Sequence, residues 1–176
     1  TSINRAYTLY GKWTKIASTL PNTFTGYYAS LNGLSGNALI TEITRMVQKT
    51  GFATGSTAQV KQADAWEGRH YNIYDGLGTY GNREHVWPNS KLGNAPDYDL
   101  HNLRAANIQV NSTRSNYPYG EGTGTQWALT NGKFYPGSEH VGDVARIVLY
   151  IHVRYNLSIS LVGDLDMFLR WHEQDP

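Results

Sequence analysis

No cysteine occurs anywhere in this chain of 176 residues. Its absence excludes disulfide staples, thiolate nucleophiles and cysteine-type zinc sites, so any metal here must be held by oxygen and imidazole ligands. Charge is also scarce: Asp, Glu, Lys and Arg make up 16% of the residues, against roughly 25% in an average soluble domain. With a formal net charge of +1, the bulk electrostatics announce no polyanionic partner, and any phosphate binding must be local. No apolar run approaches the roughly 18 residues of a membrane span. The N-terminal TSINRAYTLYGKW lacks the basic-then-apolar layout of a secretory signal, which implies a soluble chain without a membrane partner, or one already trimmed.

What is abundant is Tyr, at 13 residues, and Gly, at 18, with Asn, Ser and Thr supplying the polar surface. Low Lys and Glu with this composition favours an exported protein. The length suits one domain with a substantial core and is short for two, so residues 1–176 read as a single domain, expected to be a monomer.

Along the chain, residues 33–51 carry Leu39, Ile40, Ile43, Met46 and Val47 at three- and four-residue spacing, with Gly51 as a stop, which predicts an amphipathic helix. Residues 64–82, aromatic and broken by glycines, suit short strands and turns. VWP and DLHNLRAA read as two extended segments separated by a polar loop. ANIQVNSTRS, from Ala106 to about Ser115, permits a short helix of poor propensity. After the loop YPYGEGTGTQWALTNGKFYPGS, the stripe Val144, Ile147, Val148, Ile151 and Tyr155 predicts a second secure helix. GDLDMFLRWHEQDP starts as an Asp-capped helix and stops almost at once. The expected class is helix-rich α+β, its β structure concentrated around residues 69–106.

Chemistry is suggested by REHVWPNSKLG, where Glu84 and His85 stand side by side in a chain sparing with charge. Such a pair alone is more often structural. Downstream, however, come Asp99, His101, Asn102, Asn107, Asn111 and Arg114, a density of oxygen and imidazole groups able to house a hard divalent cation such as Mg²⁺. Carboxylate plus amide oxygen is a reasonable protein share for Mg²⁺, which keeps waters and takes its remaining oxygens from phosphate. That combination points to phosphodiester cleavage.

REHVWP, DLHNL, VNSTRSNYP and GDVARIVLYIHVRY, in that order, resemble the bacterial endonuclease I family of His-Me finger (ββα-metal) nucleases. The resemblance runs from about Gly33 onward and is dense at 83–117 and 142–155. It implies a ββα-metal motif at about 83–116, with His85 as general base and Glu84 and Asn111 as metal ligands. It further implies a metal-dependent endonuclease acting on DNA and RNA without sequence preference, with Mg²⁺, or else Mn²⁺ or Ca²⁺, as cofactor, and 5′-phosphate products. An unperturbed imidazole, with pKa ~6.5, is mostly neutral at pH 7 and able to take a proton from water.

Neighbouring strand residues face opposite ways, so a regular strand cannot aim Glu84 and His85 at one phosphate. An irregularity is therefore expected: the strand begins or bulges there, or the site wraps the hairpin edge. Asp99 and His101 share a strand face and are expected to brace the ligands from behind or hold a water. Arg114, three residues after Asn111, either clamps a phosphate oxygen or makes a surface salt bridge. Arg83, Lys91, Arg104 and Lys133 form no strong basic stripe. Two departures from the family stand out: some relatives are disulfide-rich, and members usually continue past WHEQDP, which suggests a short or truncated variant. Two rivals remain, an aromatic-rich carbohydrate-binding module and a retired nuclease fold used as a binding scaffold. The first leaves the ordered motifs unexplained; the second conflicts with the intact Glu84, His85 and Asn111.

Overall fold

The computed structural model describes residues 23–49 and 51–176. The expected first helix runs Gly36–Lys49 (α1), where Met46 is buried and Ile40 is exposed. The reading of the N-terminal TSINRAYTLYGKW lies outside the described residues. A short 3-10 helix, Gly26–Leu31, precedes α1, and a further helix, Thr57–Ala63 (α2), follows it. Sequence reasoning missed α2, although Ser56 and Gln59 form a capping box at its start, a signal visible in S-T-A-Q.

The glycine-broken stretch folds into the meander Ala65–Trp66 (β1), Arg69–Asn72 (β2) and Gly76–Gly78 (β3). Then come Asn82–His85 (β4) and Leu103–Ala106 (β5), an antiparallel pair, with the helix Ile108–Arg114 (α3) directly behind. The bond from Ile73 N–H to Ala105 O, 2.9 Å, joins the meander to β5. VWP lies beyond β4, so the first extended segment is NREH, a few residues upstream of the expectation. Likewise Leu100–Asn102 is a 3-10 turn, not strand. A hairpin of Ala128–Thr130 (β6) and Lys133–Tyr135 (β7) occupies what was expected to be loop. Its turn, Asn131 and Gly132, has both residues at positive φ, 52° and 70°, the conformation that Asn-Gly favours between twisted strands.

Helices Val141–Tyr155 (α4) and Leu165–Gln174 (α5) pack on each other and on the rest through Val144, Val148, Ile151, Phe168 and Trp171. The last helix runs ten residues, longer than expected, because Asp164 caps Met167 N–H at 3.0 Å and its apolar side, Met167, Phe168 and Trp171, is buried. Helix α4 is secured at its start by the chain's end: Gly142 N–H bonds the Asp175 carboxylate at 2.9 Å, and Arg146 bonds Asp175 O and Asp143. A Cβ at position 142 would collide with the Asp175 backbone, so the Gly of GDVAR is a close-approach glycine. The architecture is α+β, of helices with small antiparallel sheets. No described helix is long and apolar enough to cross a membrane.

Candidate active site

Strand β4 carries Glu84 and His85, and its ladder with β5 is unbroken: Asn82–Ala106, Arg83–Ala105, Glu84–Arg104, His85–Leu103. One further bond, Val86 N–H to Asn102 O at 3.0 Å, continues beyond it. The expected strand start or bulge at Glu84 is therefore absent; the strand ends at His85 instead. Alternation sends the two side chains to opposite faces. Glu84 turns inward, 3% exposed, accepting a 2.8 Å hydrogen bond from the Tyr74 hydroxyl. His85 turns outward, half-buried. Both nonetheless line one open cleft of about 340 Å³, together with Arg83, Asn111 and the loop residues Ser90, Ser115 and Asn116.

His85 Nε2 lies 2.9 Å from Asp97 O. A carbonyl only accepts, so Nε2 carries the hydrogen and Nδ1 keeps the basic lone pair. Burial holds the imidazole pKa below its usual 6.5, and the nearby Arg83 charge adds to this, against the pull of the Asp97 carbonyl and carboxylate. The ring is thus neutral at pH 7.

Helix α3 packs on β4 and brings Asn111 to the cleft. It forms despite poor propensity because Asn107 caps it, accepting from Gln109 N–H at 2.9 Å. Asn107, one helical turn before Asn111, is thereby a cap. The Asn111 amide is oriented by its own partner, Nδ2 donating to Asn82 Oδ1 at 2.9 Å, which leaves Oδ1 as the atom able to bind. Burial lifts the Glu84 carboxyl to about 7, opposed by Arg114, the Tyr74 hydroxyl and the His85 backbone N–H. A buried carboxylate of this kind has electrostatic reason to take up a cation. Among the described residues no three His, Asp or Glu side chains gather as a metal cage. Glu84 and Asn111, a carboxylate and an amide oxygen on the cleft lining, fit a hard cation that retains its waters.

Residues 68–176, more than half of the chain, match the family model described as Endonuclease I. The chain belongs to the endonuclease I family. It is 32% identical to a Bacillus amyloliquefaciens protein named extracellular ribonuclease, over 85% of this chain and 66% of that one. A Bacillus subtilis (strain 168) protein of the same name is 30% identical with the same coverage. The chain thus spans just under two thirds of the length of these curated relatives. No solved structure matches it.

Within this endonuclease I family member, the remaining sequence-derived candidates lie elsewhere. Arg114 is fully buried, so it is neither a phosphate clamp nor a surface salt bridge. Its Nε stands 3.2 Å from Glu84 Oε1, Nη2 donates to Val86 O at 2.9 Å, and Nη1 donates to Ser115 O at 2.8 Å. The guanidinium also stacks over the Tyr119 ring at 4.6 Å. Asp99 and His101 pair with each other, 3.0 Å, but sit on a 3-10 turn facing α4, not on a strand beside the ligands. Asp99 Oδ2 accepts from the Tyr150 and Tyr155 hydroxyls at 3.0 and 2.7 Å, and the His101 ring stacks on Tyr150. Their bonds and ring contacts thus run to one another and to α4. Asn102 is buried and clamps Trp87 by both amide atoms, at 2.7 and 3.0 Å. Arg104 is buried against Asp64 at 3.0 Å.

Residues that sequence reasoning missed are Asn82, Tyr74 and Tyr119. The two tyrosine hydroxyls meet at 2.8 Å, and Tyr119 also donates to Val86 O at 2.9 Å. Nothing in a tyrosine-rich chain singles these two out; only the fold brings them to Glu84.

Proposed function

We propose that this chain is a metal-dependent endonuclease that hydrolyses phosphodiester bonds in DNA and RNA without sequence preference. The strand pair β4–β5 with helix α3 is its ββα-metal unit. The observation that carries the reading is a neutral imidazole with its basic Nδ1 unclaimed, in the same cleft as a buried carboxylate and an oriented amide. His85 Nδ1 takes the proton of a water whose oxygen attacks phosphorus; the bond to the 3′ oxygen breaks, leaving a 5′-phosphate. Glu84 and Asn111 would hold one divalent cation, Mg²⁺, with Mn²⁺ or Ca²⁺ as substitutes. When bound, it supplies positive charge to offset the negative charge building on the phosphoryl group and the departing oxygen.

Family membership supports the nuclease reading, and the names of the Bacillus relatives support RNA as a substrate and an extracellular site of action. With Arg114 buried and cationic side chains sparse in the cleft, binding rests on the cation, Arg83 and neutral donors. A plasmid digest with Mg²⁺, repeated with EDTA and with matched RNA, tests the reading. Cleavage abolished by chelator and lowered by orders of magnitude in His85→Ala is the expected result; chelator-resistant cleavage by the wild type would sink it.

A further inference from the structure

Beyond Glu84, His85 and Asn111, the cleft is completed by two loops that the chemistry above does not use. Asn89 to Lys91 form a 3-10 turn directly after buried Pro88, and this turn leaves Ser90 exposed at the cleft wall. Facing it is the turn that ends helix α3. There Ser115 adopts φ 48° and ψ −126°, a left-handed conformation that strains any residue with a side chain. Two bonds enforce it: Ser115 N–H to Asn111 O at 2.9 Å and Arg114 Nη1 to Ser115 O at 2.8 Å. The fold thus commits two hydrogen bonds to holding an unfavourable turn, and that turn brings Asn116 to Ser90, Nδ2 to Oγ at 3.3 Å.

The chemistry of this pair is specific. With Asn116 Nδ2 donating one hydrogen to Ser90 Oγ, the groups left for a ligand are two donors, the Ser90 hydroxyl hydrogen and the second Nδ2 hydrogen, and an acceptor, Asn116 Oδ1. A phosphate oxygen only accepts and has no use for Oδ1. A hydroxyl both donates and accepts, and matches the pair at both atoms. Among the cleft residues the cationic one is Arg83, whose Nη1 already donates to Gly55 O at 2.9 Å.

We propose that Ser90 and Asn116 form a subsite for the ribose 2′-hydroxyl, so that this cleft favours RNA over DNA. The inference rests on the nuclease reading and deepens it, because the 2′-hydroxyl is the group by which a protein tells the two polymers apart.

The test measures kcat/KM on matched single-stranded ribo-, deoxyribo- and 2′-O-methyl oligonucleotides for wild type, Ser90→Ala and Asn116→Ala. Both side chains are exposed, so the variants fold. The ribo-to-deoxyribo ratio is expected to exceed one in the wild type and to fall about tenfold in Asn116→Ala, the scale of one hydrogen bond. A ratio unchanged in both variants, or a wild type without preference, overturns the subsite. A second arm measures anisotropy of the labelled oligonucleotides on His85→Ala protein, with and without Asn116→Ala. If the wild type cuts neither polymer, the nuclease reading fails, and equal affinity for RNA and its deoxy analogue then overturns the subsite as well.

Discussion

Arg114 Nε stands 3.2 Å from Glu84 Oε1, and both side chains are buried. Through this contact and its bond to Val86 O, the guanidinium ties the strand carrying Glu84 and His85 to the helix carrying Asn111. Removing the guanidinium leaves Glu84 and the Val86 carbonyl without a buried partner. Arg114→Met is therefore expected to lower stability by about 3–5 kcal/mol, measured by urea denaturation. A loss below about 1 kcal/mol, the worth of an exposed pair, would show that this contact is not what holds strand to helix.

Glu84 gives a pH dependence whose sign follows from burial. Its carboxyl sits at about 7 in the folded protein against an ordinary 4.5. Between these values the native state holds a proton that the unfolded chain has released, so stability falls as pH rises through this window. At roughly 1.4 kcal/mol for each pH unit between the two values, the effect is on the order of 3 kcal/mol for the metal-free protein. Glu84→Gln is expected to flatten the profile, as read from denaturation midpoints between pH 5 and pH 8. An equally steep profile in the variant would assign the dependence to another group.

His85 has its pKa held below 6.5 by burial. Cleavage as a function of pH is expected to stay flat near neutrality and to decline only below pH 6.5, where the imidazole takes up a proton. His85→Ala is expected to lose about 10²–10⁴-fold in kcat while its thermal midpoint stays near that of the wild type. Near-native cleavage by the purified variant contradicts the assignment.

Asn82 orients the amide of Asn111. Losing a partner that orients a ligand typically costs about 10–100-fold in metal affinity. Asn82→Ala is expected to raise the Mn²⁺ dissociation constant within this range, followed by electron paramagnetic resonance of free Mn²⁺. Unaltered binding would remove Asn111 from the ligand set.

Asp99, by contrast, is expected to act through stability. Its carboxylate is buried and receives bonds from His101, Tyr150 and Tyr155. Asp99→Ala leaves two tyrosine hydroxyls without their acceptor at about 1–3 kcal/mol each. A lowered melting temperature with little change in the Mg²⁺ dependence of cleavage is the expected pattern; the reverse would return Asp99 to the metal site.

Helices α1 and α4 were legible in the sequence because apolar spacing of three and four residues matches the helical period, although in α1 only Met46 is buried and Ile40 is exposed. The capping box before α2 and the Asn-Gly turn between β6 and β7 are equally local signals, present in the sequence itself. Leu100–Asn102 went the other way. Its alternation suited a strand, but Asp99 caps the turn by accepting from His101 N–H, and that local bond wins.

What the sequence by itself determined is the list of chemical groups: a chain without cysteine, an adjacent carboxylate and imidazole, an asparagine behind them, and the ordered motifs that place it in the endonuclease I family. Only the tertiary structure decided what each group faces. Arg114 looked like a surface cation three residues from Asn111, yet the fold buries it against Glu84, Val86 and Tyr119. Asp99 and His101 looked like neighbours of the ligands, yet they turn to α4. The reason is physical: residue type fixes what a side chain can donate, accept or ionise, whereas its partners, and hence its pKa and its exposure, are set by chain segments distant in sequence that pack against it.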